Sequence, residues 1–318
     1  MNLTIRRRLA AWGFLAPMLL GIIIFFIFPL IMTVYYSLTS YNMLSPPKWN
    51  NFANWKHLFG NDQVIGKATL NTLWFVVVLV PVRIIGALFV AWMLTKARRA
   101  GGVFRTIFYL PALIPPVAST VAFVFVLNPG SGPIASILGW GPIKSVLSSV
   151  GIDNPGFFAA ASWAKPAHAF LALWVLGDIM VILLAALLNV PTEQYEAAEI
   201  DGAGSARRFW YVTIPNIRPV LLFAAITGII AVLQYFTQPS VASATASGNM
   251  PHGAGAGKIM GWPENSTLTY GQLLYQNGFS YHNLGYASAM AVMLFLVAGV
   301  AMFFLLRRFS DFNPEVAS

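Results

Sequence analysis

From Leu9 to about Leu38 the chain carries no charged residue, and a run of that kind constrains the fold more than any other feature. About 20 consecutive apolar residues cross a bilayer core of ~30 Å as a helix. Lipid offers a lone segment no other way to satisfy its backbone polar groups. Further apolar runs follow at about 70–95, 106–127, 167–190, 219–238 and 284–306. Arg6-Arg7-Arg8 precede the first run. That run exceeds the ~7–15 residues of a signal peptide's apolar core, and no clear small-residue cleavage site follows it, so it reads as span 1 and not as a leader. With 58% hydrophobic and 9% charged residues, the chain departs from soluble domains, which are about half apolar and a quarter charged. The expectation is an all-α integral membrane protein, one transmembrane domain over 1–318 with six helices. Cysteine is absent, which excludes disulfides, thiolate metal sites and cysteine nucleophiles.

Six spans put both termini on one side of the membrane. The N-terminus, the turn between spans 2 and 3 (Lys96, Arg98, Arg99, Arg105), the segment 191–218 (Arg207, Arg208, Arg218) and Arg307-Arg308 hold nearly all the arginines. The other loops hold only Lys48, Lys56, Lys67, Lys144, Lys165 and Lys258. By the positive-inside rule both termini and 191–218 are cytoplasmic, and 239–283 is an extracytoplasmic loop. The net charge of +9 then reads as topology and contact with anionic lipid, not as a nucleic-acid footprint.

The segment 191–218 is too structured for a bland connector. Pro191 can open a helix, and Thr192 to Asp201 reads helical. Gly202 and Gly204 punctuate it, because glycine accepts the left-handed backbone that ends a helix. Ser205 fits as the cap of a second short helix, Ala206 to Val212, closed by Pro215. A helix–Gly–helix knuckle of mixed charge just outside a membrane has the character of a docking surface.

Glu196-Ala197-Ala198, then Gly202, then Val212-x-Ile214-Pro215 resembles the EAA loop of binding-protein-dependent ABC importer permeases. That pattern is EAA, three residues, Gly, nine residues, then I-x-L-P. The phrase YEAAEIDGAG is most similar to the maltose-type sugar permeases, as are Phe104-Arg-Thr-Ile-Phe-Tyr-Leu-Pro-Ala and Gly285-Tyr-Ala-Ser-Ala-Met. The resemblance runs from about residue 10 to 308. It departs at 243–263, where a longer Gly/Ala/Ser insert with Met250-Pro251-His252 replaces a short GGP-type turn. The resemblance implies a type I importer permease fold with cytoplasmic coupling helices between spans 4 and 5. It implies that Glu196, Ala197, Ala198, Glu199, Asp201 and Gly202, with Pro215 ending the motif, couple to a cytoplasmic ATPase, the two glutamates offering charge to its arginines. It also implies a homologous second permease, two ATPase subunits and an extracytoplasmic solute-binding protein as partners. ATP and magnesium would then belong to the ATPase subunits, and this chain would be no enzyme and bind no cofactor. HGAGAGKI at 252–259 lacks the first glycine and the Ser or Thr of a phosphate loop. The four histidines, His57, His168, His252 and His282, show no metal-ligand spacing, and no catalytic constellation is present.

Within the spans, Thr227, Ala231, Gln234 and Gln238 fall at i, i+4, i+7 and i+11, one stripe of a helix, with Tyr235 beside it. Such a stripe serves either helix packing or a channel wall that offers amides and hydroxyls to a sugar. Arg83 and Asp178 are charges inside spans and must face protein or water; they form either a packing pair or part of a path. By the resemblance, Ser119, Asp178, Thr227 and Gln234 match sugar-contacting positions. The expected activity is ATP-driven alternating-access import of a carbohydrate, an oligosaccharide in first place. The alternatives are the same machinery carrying a phosphorylated polyol or other non-sugar solute, and an ion-coupled transporter with Asp178 as its proton site.

Overall fold

A computed structural model describes residues 3–60, 62–97, 101–138, 140–149, 155–248 and 259–310. Among these, four helices are long and apolar enough to cross a bilayer: Ala11–Ser37, Gln63–Thr95, Ser205–Leu233 and Leu284–Arg307. Two bent pairs, Gly101–Leu113 with Pro116–Val126 and Ala161–Trp174 with Gly177–Leu188, raise the number to six if each is one span.

The chain divides into two compact units. One comprises Met1–Asp62 and Leu274–Val297. In it α1 (Leu3–Ile22), a π-helical turn (Ile23–Ile27) and α2 (Phe28–Ser37) follow one another. Ile24, Phe25 and Phe26 stand exposed on this rod, as befits a lipid-facing surface. A two-stranded antiparallel ribbon, β1 (Thr39–Ser40) and β2 (Lys48–Trp49), and the short α3 (Ala53–Leu58) close its end. Asn54 Nδ2 donates to the carbonyls of Ser37 and Thr39, both at 2.9 Å. These two bonds satisfy acceptors that the end of α2 leaves open.

The other unit comprises Gln63–Leu273 and Ala298–Ser318. Its elements are α4 (Gln63–Thr95), α5 (Gly101–Leu113), α6 (Pro116–Val126), α7 (Pro133–Leu138), α8 (Gly141–Ser149), α9 (Ala161–Trp174), α10 (Gly177–Leu188), α11 (Thr192–Ile200), α12 (Ser205–Arg208), α13 (Ile214–Leu233) and α14 (Thr237–Ala246). Two further helices, α15 (Tyr270–Tyr275) and α16 (Leu284–Ser310), complete the described chain. One core cluster joins three helices: Ala87, Ala91 and Leu94 of α4, Ile179, Met180, Leu183 and Leu187 of α10, and Ile217 and Ala224 of α13. Alanines on one stripe of α4 let the neighbours approach closely, which matters where lipid supplies no hydrophobic drive between helices.

Three of the expected spans are not straight rods. The 106–127 run bends by 98° where Pro115 follows Ile114, because a residue before proline is pushed out of the helical region; Pro116 then opens α6. The expected span 167–190 starts earlier, at Ala161, and bends by 49° between Trp174 and Gly177. At Gly177 a β-carbon would collide with the carbonyl oxygen of Phe108 and come within 2.8 Å of Tyr109 Cα, so glycine is what lets α10 press onto α5.

The expected span 219–238 is corrected at both ends. Its helix begins at Ser205 and stops at Leu233. Gln234 leaves helical geometry at φ −98°, ψ 20°, and α14 restarts at Thr237. Thr269 Oγ1 donates to the Tyr235 carbonyl at 2.6 Å, covering an acceptor at the break. The loop expected at 239–283 therefore opens with a helix. Of its insert at 243–263, residues 249–258, including Met250-Pro251-His252 and most of the HGAGAGKI stretch, lie outside the described residues.

Candidate functional site

The two charges inside the spans meet. Arg83 Nη2 donates to both carboxylate oxygens of Asp178, at 2.7 and 2.8 Å, and to the carbonyl of Val175 at 3.2 Å. The third bond explains the location. The bend between α9 and α10 frees a backbone acceptor at membrane depth, where irregular backbone survives only if protein or water satisfies it. Arg83 covers that acceptor, and Asp178, in the first turn of α10, neutralises Arg83. The carboxylate stays half exposed, at 52% of its side-chain surface.

Around this pair lie two adjoining hollows of about 160 and 290 Å³. Both are lined by Arg83, Ile179, Ala224, Gly228 and Ala231. Asp178 and Thr227 line the larger; Gln234, Tyr235 and Gln238 line the smaller. The stripe expected on one continuous helix thus converges although that helix ends at Leu233, because the break turns Gln234 and Gln238 toward the same space. Thr227 Oγ1 donates to the Phe223 carbonyl at 2.8 Å, which leaves its lone pairs as acceptors. Tyr235 is less a free aromatic face than part of a ring cluster: its centroid lies 5.4 Å from Phe75 and 5.9 Å from His168. Ser119 is elsewhere. It is buried on α6, its hydroxyl donating to the Pro116 carbonyl at 3.0 Å, and it lines neither hollow.

The knuckle has a definite geometry. Asp201 ends α11, and Gly202 takes φ +74°. The Gly202 N–H donates to Glu199 O at 3.0 Å and the Ala203 N–H to Ala198 O at 2.9 Å, the paired bonds of a Schellman helix end. Ser205 is not the cap of the second helix; Gly204 holds that place with extended backbone, and α12 starts at Ser205. Pro215 does not close that helix either. Helix continues from Ser205 to Leu233, with a π-helical turn at Phe209–Thr213 just ahead of Pro215. Proline inside a helix removes one backbone donor and crowds the preceding turn, and a widened turn is one way to absorb both. Asn216 Nδ2 donates to the Val212 carbonyl at 2.7 Å in the same region.

Glu199, expected to face a partner's arginines, is paired within the chain: Arg208 Nη1 donates to its Oε2 at 2.7 Å. The Glu199 side chain nonetheless stays 70% exposed, and Glu196, Ala197, Ile200, Asp201 and Gly202 also face outward, Ile200 at 87%. Behind them Tyr195 Oη and Thr213 Oγ1 share a 2.8 Å hydrogen bond, and Asn216 Nδ2 donates to Gln194 Oε1 at 2.7 Å. These contacts tie α11 to the foot of α13. Sequence reasoning missed the Val175 carbonyl that Arg83 covers, and the break after Leu233. Pro239, in the first turn of α14, was the available sign of a helix start there.

Residues 83–311 match the family model described as binding-protein-dependent transport system inner membrane component. The chain is 30% identical over 313 residues to the probable ABC transporter permease protein YesP of Bacillus subtilis (strain 168), covering 94% of this chain and 90% of that one. It is 33% identical over 300 residues to the lactose transport system permease protein LacF of Rhizobium radiobacter, covering 92% and 91%. Its fold matches a chain in the crystal structure of a bacterial ABC transporter involved in the import of the acidic polysaccharide alginate, with a TM-score of 0.73, 20% identity and 98% of each chain covered. A helical fold with four to six candidate spans, a spaced EAA segment and a match over most of its length agree: the chain belongs to the inner-membrane permeases of binding-protein-dependent ABC transport.

Proposed function

We propose that this chain forms one half of a carbohydrate-conducting pathway, with a homologous permease as the other half. The observation that carries the cargo reading is the polar track Asp178, Thr227, Gln234 and Gln238 around the Arg83 pair, opening into hollows whose remaining walls are apolar apart from Tyr235 and Thr237. A carboxylate, a hydroxyl and two amides supply both donors and acceptors, which a polyhydroxylated solute needs in place of water. The lactose permease relative supports the same class. An extracytoplasmic solute-binding protein presents the cargo, and the knuckle from Glu196 to Gly202 seats on a cytoplasmic ATPase subunit, with both termini on that side. Nucleotide chemistry belongs to that partner; this chain receives motion. Tyr195, Val212 and Ile214 pack against the cluster that also contains Ile179 and Ala224, two residues lining the hollows, so a push on the knuckle reaches the pathway through contiguous side chains. Membership of this family replaces the ion-coupled alternative.

The test is uptake of labelled oligosaccharides by cells carrying the complete transporter. Saturable uptake that stops on ATP depletion and survives an uncoupler at constant ATP is expected. Uptake that collapses with the uncoupler, or cells that take up a phosphorylated polyol and no carbohydrate, would contradict the proposal.

A further inference from the structure

On another side of the same unit lies an apolar groove of about 520 Å³. One wall is a stripe of α4, Ile85, Leu88, Phe89 and Trp92; the other is the stretch from Ser205 to Ile214, including Phe209 and Trp210. Ile85, Phe89 and Trp210 are 65%, 58% and 65% exposed, so the chain itself does not fill the groove. The stripe on α4 continues to Lys96, whose Nζ sits 3.6 Å from the centroid of the Trp92 ring. Arg207, exposed, is the sequence neighbour of Ala206 on the facing wall and does not itself line the groove.

Depth and charge together identify the occupant. From Ile85 to Lys96 the chain rises about 16 Å at ~1.5 Å per residue, about half of a ~30 Å hydrocarbon core. The groove is thus one leaflet deep. Its inner end is aliphatic and its outer end carries the indoles of Trp92 and Trp210, the side chains that gather at the membrane interface. Lys96 lies against the first of these indoles, and Arg207 is next in sequence to the wall residue Ala206. We infer that the groove holds an anionic phospholipid, one acyl chain lying between α4 and the 205–214 wall and the phosphate beside Lys96 and Arg207. A soluble partner does not reach this depth, and a zwitterionic lipid leaves the two cations uncompensated. The bound lipid braces α4 against the base of the helix that rises from the knuckle. This inference does not depend on the identity of the cargo.

The experiment uses the full-length chain in nanodiscs of equal phosphatidylglycerol and phosphatidylcholine, moved to mild detergent and weighed intact by mass spectrometry. Each cation near an anionic headgroup is worth about fivefold, so the pair gives a preference of roughly thirtyfold for phosphatidylglycerol. The double variant Lys96→Gln/Arg207→Gln, both at exposed positions, brings that preference near parity. Ala206→Phe, which fills the groove, lowers retention of both lipids. Parity in the unaltered chain, or an undiminished preference in the double variant, would overturn the assignment. So would a photoreactive group at Phe89 that captures a protein segment and no lipid in the native membrane.

Discussion

Gly202 holds φ +74° at a place where an added β-carbon would meet nothing within 4 Å. The constraint there is backbone conformation alone, worth roughly 1–2 kcal/mol for a residue with a β-carbon. Gly202→Leu is therefore expected to abolish uptake and co-purification of the ATPase while leaving membrane insertion intact, and Gly202→Asn, whose side chain tolerates the left-handed region, to keep most of both. Normal uptake by the leucine variant would remove the knuckle from the coupling role. Asp178 and Arg83 call for a double-mutant cycle. Asp178→Leu leaves Arg83 uncompensated and should impair uptake without releasing the ATPase. Restoring neutrality with Arg83→Leu should recover membrane yield but not uptake, with an interaction energy of roughly 0.5–3 kcal/mol in thermal stability. Recovery of uptake would make the pair a packing device only. Both charges were visible in the sequence as residues that lipid would reject. Their pairing was one of two readings the sequence left open, because it depends on a helix bend that puts Val175 O beside Arg83.

The bends are where elements and sequence part company. Pro115-Pro116 advertises its break, since proline restricts the residue before it and donates no hydrogen bond. Val175-Leu176 carries no such mark: both residues suit a membrane helix, and only Gly177, needed for the close approach to Phe108 and Tyr109, stands near the kink. After Leu233 the helical spacing of Gln234 and Gln238 continues a stripe that the backbone itself abandons, and periodicity alone cannot register that. Pro215 errs in the opposite direction, a residue that usually ends helices lying inside one behind a π-helical turn. Gly177→Ala tests whether the bent α9–α10 pair is set by this close approach. It should lower thermal stability in detergent by about 1–3 kcal/mol and reduce uptake, measured by a melting assay and by transport. A stability equal to that of the unaltered chain would show that α5 can yield at no cost.

For the whole molecule, the apolar runs foretold a helical membrane chain, because they follow from the bilayer as solvent; the arginine bias gives the side expected for the knuckle. The hollows were not legible, since they arise where α4, α10 and α13 meet around two breaks. We propose that a knuckle outside the membrane, anchored by Tyr195 and Asn216 to the foot of one long helix, passes an ATPase's motion through a shared apolar core to a polar hollow. The chain contains no cysteine, so Ile200→Cys, at a position 87% exposed, introduces its only thiol and can be probed with a membrane-impermeant maleimide. Labelling in inverted vesicles but not in intact spheroplasts, with protection when the ATPase subunits are bound, is the expected result. Labelling from the outer face, or labelling that the ATPase leaves unchanged, would contradict it.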